Sequence, residues 1–379
     1  MNVDCPRIFI NDTTLRDGEQ APRVAFTARD KVAIAKALAG AGADEIEAGT
    51  PAMGRDEIEA IGAIVGENLP VRVMAWCRLN KADVDAALAA GVSHVNISAP
   101  MSRLQISVKL GVDVATLAER VRAVVSYARE RGLSVAMGGE DSSRADPRDI
   151  GVILRAAAEA GAWRYRFADT LGALDPFSTY EAIAHIRQET DLPIEFHGHD
   201  DVGLATANTL AAIRAGATHA SVTVLGLGER AGNAPLEEVA VALGHVARGQ
   251  TNMRIDRLHA LARLVAKAAR RRIGRAKAIV GADVFTHESG IHVAALLKDA
   301  RTYQGIDPAR LGRRNTVVLA KHSGVAALKR KGEELGFDID RDLATTLLAQ
   351  IRQRANEKAA PMTKRELANF FKSACGGVK

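Results

Sequence analysis
Along the first two-thirds of the chain, short apolar and β-branched runs alternate with longer runs in which Ala, Leu, Glu and Arg recur at helical spacing. Eight strand-then-helix units can be counted. The predicted strands are Ile8–Asn11, Glu45–Ala48, Val71–Trp76, His94–Ser98, Ser134–Met137, Arg164–Ala168, Ile194–His197 and Ala220–Leu225. Four helices close on Ala41-Gly42-Ala43, Ala90-Gly91-Val92, Ala160-Gly161-Ala162 and Ala215-Gly216-Ala217, where glycine serves as a left-handed stop. Eight such units with short connections predict an α/β fold, a closed (β/α)8 TIM barrel. Open doubly wound sheets usually have fewer strands, and no G-x-G-x-x-G follows the first one.

Around Arg248 and Gly249 the pattern becomes helical with little strand character: Ile255–Ile273, Ala294–Lys298, Gly324–Leu335, Arg341–Lys358 and Thr363–Ala374. The expected organisation is a barrel over 1–250, a helical linker subdomain over 251–310 and a C-terminal helical subdomain over 311–379. Thr363 and Glu366 stand in capping-box spacing, and the tail Gly376–Lys379 is expected to fray.

Composition narrows the class. With 47% hydrophobic residues and only 4% aromatics, the chain suits close-packed helices on a parallel sheet better than a β-sandwich. The net charge of +6 raises nucleic acid as a partner, but the Lys and Arg residues are spread along the chain, so none is expected. The densest run, Arg270-Arg271-Arg272 with Arg275 and Lys277, reads as a solvated helix face, with contact to an anionic cofactor such as CoA as the alternative. Cys5, Cys77 and Cys375 have no paired spacing. Met1–Arg7 lacks a signal pattern and no apolar run has membrane-spanning length, so a cytoplasmic protein without membrane contact is expected.

A barrel of this kind places its chemistry at the C-terminal ends of its strands. Polar residues fall there: Arg16, Asp17 and Gln20 after the first, Glu47 on the second, Arg78 after the third, Glu140 after the fifth, Thr170 after the sixth, His197 and His199 at the seventh and Asn233 after the eighth. Two residues apart on an extended chain, His197 and His199 share a face, as metal ligands require. Asp17 adds a hard oxygen, and Glu195, Asp200 and Asp201 are candidates to orient the imidazoles. Such a donor set suits zinc, manganese, magnesium or iron(II). The loop Gly226–Asn233 is glycine-rich, a weak indication of a ligand site.

Two long segments carry a family resemblance. Asp12-Thr13-Thr14-Leu15-Arg16-Asp17-Gly18-Glu19-Gln20 and Glu195-Phe196-His197-Gly198-His199-Asp200-Asp201-Val202-Gly203-Leu204-Ala205 resemble the signatures of the metal-dependent condensing enzymes and lyases that include isopropylmalate, citramalate and homocitrate synthases. Gly228-Glu229-Arg230-Ala231-Gly232-Asn233 is similar to the condensing branch, and Val224–Pro235 looks like the homocitrate synthases of nitrogen fixation. The regulatory domain usual in isopropylmalate and citramalate synthases is not expected, since no such segment reads from the sequence after the C-terminal helices.

The resemblance implies condensation of acetyl-CoA with 2-oxoglutarate to homocitrate, the organic ligand of nitrogenase's iron–molybdenum cofactor. It implies a divalent metal held by Asp17, His197, His199 and Asn233, and Arg16 at developing oxyanion charge. Glu140, His292 and Tyr303 form the implied proton-transfer set, with His292 expected as the base. Thr286–His292 and Thr302-Tyr303 resemble a segment that enters a partner subunit's barrel in relatives, implying a homodimer. Gln20, Glu47 and Thr170 are expected at the substrate. Where lysine-pathway relatives have Arg and Ser on strand five, this chain has Ala136 and Gly138, so Arg78 or Arg166 is expected to meet the distal carboxylate, the alternative for each being an ion pair with a barrel carboxylate such as Glu47.

Overall fold
In the computed structural model, which describes residues 7–246 and 249–375, eight parallel strands close into a barrel in chain order. They are β1 (Phe9–Asp12), β2 (Glu45–Glu47), β3 (Arg72–Arg78), β4 (His94–Pro100), β5 (Ser134–Glu140), β6 (Arg164–Asp169), β7 (Ile194–Gly198) and β8 (His219–Val222). Closure comes from β1 pairing with β8, Phe9 opposite His219 and Asp12 opposite Val222. The helices α1 (Ala28–Ala41), α2 (Arg55–Gly66), α3 (Lys81–Ala89), α4 (Val114–Glu130), α5 (Pro147–Glu159), α6 (Pro176–Glu189), α7 (Ala205–Arg214) and α8 (Leu236–His245) follow the strands one by one.

Local sequence explains most boundaries. Thr27 and Asp30 form a reciprocal capping box at α1, and the Asn80, Asp113, Asp146 and Asp175 side chains accept backbone N–H bonds at the starts of α3, α4, α5 and α6. The four glycine stops all have positive φ: Gly42 at 89°, Gly91 at 76°, Gly161 at 94° and Gly216 at 111°. Between helices and strands lies a sealed apolar layer including Ile34, Leu38, Ile61, Val121, Val125, Ile153 and Ile183, each contributing about 1.5–3 kcal/mol on burial. The barrel's inside is different, being lined by charged and polar side chains.

The chain divides into two compact units, Met1–Ile273 and Gly274–Lys379. The first ends with α9 (Leu258–Ala268), shorter than the expected Ile255–Ile273. Arg270 takes a left-handed φ of 53°, so the triple-Arg run is an exposed turn beyond α9 and not a helix face. The second unit contains α10 (Gly290–Leu296), α11 (Val325–Glu334), α12 (Arg341–Lys358) and α13 (Lys364–Cys375) around Val293, Leu328, Leu347, Ile351 and Phe371. It also holds a short parallel strand pair, Thr286–His287 with Thr316–Val317, which the apolar pattern does not predict. The expected capping box forms, with Thr363 N–H donating to Glu366 at 2.7 Å and Glu366 N–H to Thr363 Oγ1 at 3.3 Å. Cys5 and the Gly376–Lys379 tail lie outside the described residues. Among the described residues no helix is long and apolar enough to cross a membrane.

Candidate active site
At the C-terminal mouth of the barrel is a cavity of about 560 Å³, the size of a small-molecule site, lined by residues from β1, β3 to β8 and the loops after them. Arg16, Asp17, Gln20, Arg78, Glu140, Arg166, Thr170, His197 and His199 all face it.

Three donors converge on the β1–β7 side. His197 Nε2 lies 3.1 Å from Asp17 Oδ2, His199 Nε2 lies 3.8 Å from it, and the two imidazole nitrogens are 3.3 Å apart. Bonds of about 2.1 Å to one ion at 90–110° put neighbouring donors about 3.0–3.4 Å apart; the 3.1 and 3.3 Å spacings fall in that range, and the 3.8 Å spacing would open one angle to about 130° around a shared divalent cation. Burial, then the neighbouring His197, pushes His199 down to about 4, leaving a neutral ring with a lone pair to offer. Burial opposes charge on Asp17, but Arg16 and the histidines outweigh it and hold the carboxyl well below its usual range.

A buried amide, that of Asn233, is held next to His199 by the glycine loop after β8. Asn233 N–H bonds Gly226 O at 3.0 Å, its Nδ2 donates to Leu227 O at 2.9 Å, and a backbone bridge joins it to His199. Its Oδ1 is buried with no partner among the described residues, the state expected of an oxygen reserved for a cation. A Cβ on Gly232 would stand 1.8 Å from Gly226 O, so the loop needs that glycine to hold the amide in place. The imidazoles are oriented otherwise than the flanking acids suggest. His197 Nδ1 meets Ser221 Oγ at 3.0 Å, and His199 Nδ1 has no partner among the described residues. Glu195 serves a different set of groups.

That set is an alternating ladder through the barrel interior. Arg72 pairs with Glu45 at 2.8 Å, Glu45 with Arg164 at 2.5 Å, Arg164 with Glu195 at 2.9 Å, Glu195 with Arg166 at 2.8 Å, Arg166 with Glu47 at 2.8 Å and Glu47 with Arg16 at 2.6 Å. Arg16 then reaches Asp17 at 3.5 Å. Despite complete burial, Glu47 is held down at about 2 by Arg16 and Arg166. Two expectations change here. Glu47, fully buried and also bonded by Thr13, lies beneath the cavity as the anchor of Arg16, out of substrate reach. Arg166 borders the cavity, but its fork is taken by Glu47 and Glu195. Arg164→Leu strips Glu45 and Glu195 of a shared buried cation, and urea unfolding is expected to find a loss of about 3–5 kcal/mol.

On the opposite side of the mouth, Asp83 grips Nε and Nη2 of Arg78 at 2.9 Å each, leaving Nη1 of a half-exposed guanidinium on the cavity. Glu140 is met at 2.5 Å by Lys109, from the π-helical turn Ile106–Leu110, and Thr170 Oγ1 accepts the N–H of Asp141 at 2.8 Å. Sequence reasoning did not single out Lys109, Asn96 or Ser98, all on the cavity wall. Asn96 and Ser98 share a strand face by alternation, a signal that was available; Lys109 has none. In the second unit, the rings of His292 and Tyr303 stack with centroids 4.1 Å apart.

A parallel (β/α)8 barrel with an Asp–His–His cluster in its mouth belongs to the class of barrel enzymes built around a mouth-bound ligand set. The chain is a member of the HMGL-like family, which matches residues 7–265, and residues 279–359 match the homocitrate synthase post-HMGL domain-like family. It thus falls among the homocitrate synthase-like acyltransferases, whose small-molecule substrates are acetyl-CoA and a 2-oxo acid. It is 47% identical to a homocitrate synthase of Frankia alni over 86% of this chain and 93% of that one. It is 42% identical to 2-isopropylmalate synthase 2 of Caldanaerobacter subterraneus, over 96% and 95% respectively. The Bacillus subtilis HMG-CoA lyase structure shares the fold at a TM-score of 0.64 and 21% identity, covering 71% of this chain and 96% of that one.

Proposed function
We propose that this enzyme condenses acetyl-CoA with 2-oxoglutarate and water, giving homocitrate and CoA, a product suited to nitrogenase iron–molybdenum cofactor synthesis. The observation that carries the reading is the two-sided mouth, with a ligand cluster at Asp17, His197 and His199, to which we add the amide of Asn233, and the cationic edge of Arg78 on the same cavity.

Asp17, His197, His199 and Asn233 would hold a divalent metal, which would supply Lewis acidity toward the keto group of the oxo acid. Arg16, clamped by Glu47, donates to the oxygen on which negative charge develops as the new C–C bond forms. His292 takes the methyl proton of acetyl-CoA, with Tyr303 stacked on its ring and Glu140 completing the set; a homodimer brings this pair to the partner's barrel. Thr170 and Gln20 border the oxo acid, and Arg78 meets its distal carboxylate. Water then cleaves the thioester, releasing CoA.

A second reading, a 2-isopropylmalate or citramalate synthase using an apolar or shorter oxo acid, draws on the 42% identity to an isopropylmalate synthase. Thiol release from acetyl-CoA, measured in parallel with 2-oxoglutarate, 2-oxoisovalerate and pyruvate, separates the two. 2-Oxoglutarate is expected to give the highest kcat/KM, and Arg78→Ala to raise its KM about 10- to 100-fold. Faster turnover of 2-oxoisovalerate or pyruvate would establish the second reading instead.

A further inference from the structure
Asn96 is 1% exposed, lines the cavity, and has no hydrogen-bond partner for either Oδ1 or Nδ2 among the described residues. Native structures seldom keep a buried amide unmet at both atoms unless a ligand or ordered water completes it. Asn96 stands in β4 opposite Trp76 and Ala136, with Ser98 two residues on along the same face. Gly138 makes the room: a Cβ there would lie 3.0 Å from both heteroatoms of the amide.

In a barrel ordered β1 to β8, β4 is diametrically across from β8, whose loop carries Asn233. An oxo acid with its keto end at Asp17, His197 and His199 therefore extends its other end toward β3, β4 and β5.

From this juxtaposition we infer that Asn96 reads the far end of the 2-oxo acid and sets the preference for a polar over an apolar tail. Nδ2 donates to a distal carboxylate, and Oδ1 accepts from a water or cation that accompanies it. An apolar tail leaves both amide atoms unmet at closure, whereas a dicarboxylate satisfies them, so discrimination arises without any charged group at this position. The inference rests on the condensation proposed above and adds to Arg78 an uncharged reader of the oxo acid's distal end.

The test compares kcat/KM for 2-oxoglutarate and for 2-oxoisovalerate, at saturating acetyl-CoA with added Mg²⁺ or Mn²⁺, in the wild type, Asn96→Leu, Asn96→Ala and Gly138→Ala. In both Asn96 variants the 2-oxoglutarate to 2-oxoisovalerate ratio is expected to fall about 10- to 100-fold, chiefly through KM for the oxo acid. Asn96→Leu should melt no lower than the wild type, because two unmet polar atoms leave the core, and the smaller Asn96→Ala carries the test should Leu not be accommodated. Gly138→Ala, which keeps the amide but displaces it, should shift the ratio in the same direction. An unchanged ratio in the Asn96 variants, or an equal loss on both oxo acids, overturns the assignment while leaving the condensation standing. A wild type that prefers 2-oxoisovalerate overturns both.

Discussion
His199→Ala is expected to lower the condensation rate by at least about a thousandfold, because the Lewis acidity it would withdraw is a matter of several kcal/mol. The same loss should follow chelation of the wild-type enzyme, and there it should reverse on adding a divalent ion. The geometry explains why one ring matters so much. Asp17 Oδ2, His197 Nε2 and His199 Nε2 lie within 4.8 Å of one another, so removing one donor opens a whole face of the cluster. Metal content after dialysis, measured beside the rate, should fall in the variant. Full activity in metal-free buffer would defeat the proposal.

Arg16→Ala carries the second large effect, an expected fall in kcat of about 10²- to 10³-fold, the usual consequence of losing an oxyanion donor. Here the fold should survive. Glu47 keeps the bidentate grip of Arg166 when Arg16 is gone, and Asp17 keeps His197 and His199 at 3.1 and 3.8 Å, so neither buried carboxylate is left without a partner. Circular dichroism and the melting temperature should therefore stay close to wild type while turnover collapses. Arg16→Lys retains the charge but loses the planar fork that reaches both Glu47 and Asp17, and an intermediate rate is expected. A variant that loses stability in step with activity would instead make Arg16 a brace of the barrel mouth.

The barrel was legible because its signals are local and repeated. All eight strands lie within a few residues of where the apolar runs put them, and each Ala-Gly stop became a left-handed glycine. His197 and His199 were legible for a similar reason, since period-two alternation alone puts them on one face. The same alternation misled at Glu195: it shares that face, but one step deeper it meets Arg164 and Arg166 and no imidazole. Ser221, which holds His197, comes from the adjacent strand, and nothing local to β7 announces a hydroxyl there. For Arg166 the sequence left a substrate contact and an ion pair with Glu47 equally open, and the structure shows the ion pair. The unmet amide of Asn96 is likewise a property of its neighbours' silence, invisible until they are placed.

The ladder from Arg72 to Arg16 has a consequence for how such a barrel can change over generations. Its six ion pairs run through the inside of the barrel in strict alternation of sign, so substitution at an inner rung leaves one or two uncompensated charges in a dry interior. Lineages can cross that interior only by coordinated exchanges, and double-mutant cycles between rungs should show strong non-additivity. Residues at the mouth, such as Lys109 and Arg78, are half-exposed and carry no such debt to the interior. Single substitutions are therefore expected to cost little stability at the rim and much more within, so the mouth can be altered one residue at a time while the interior cannot.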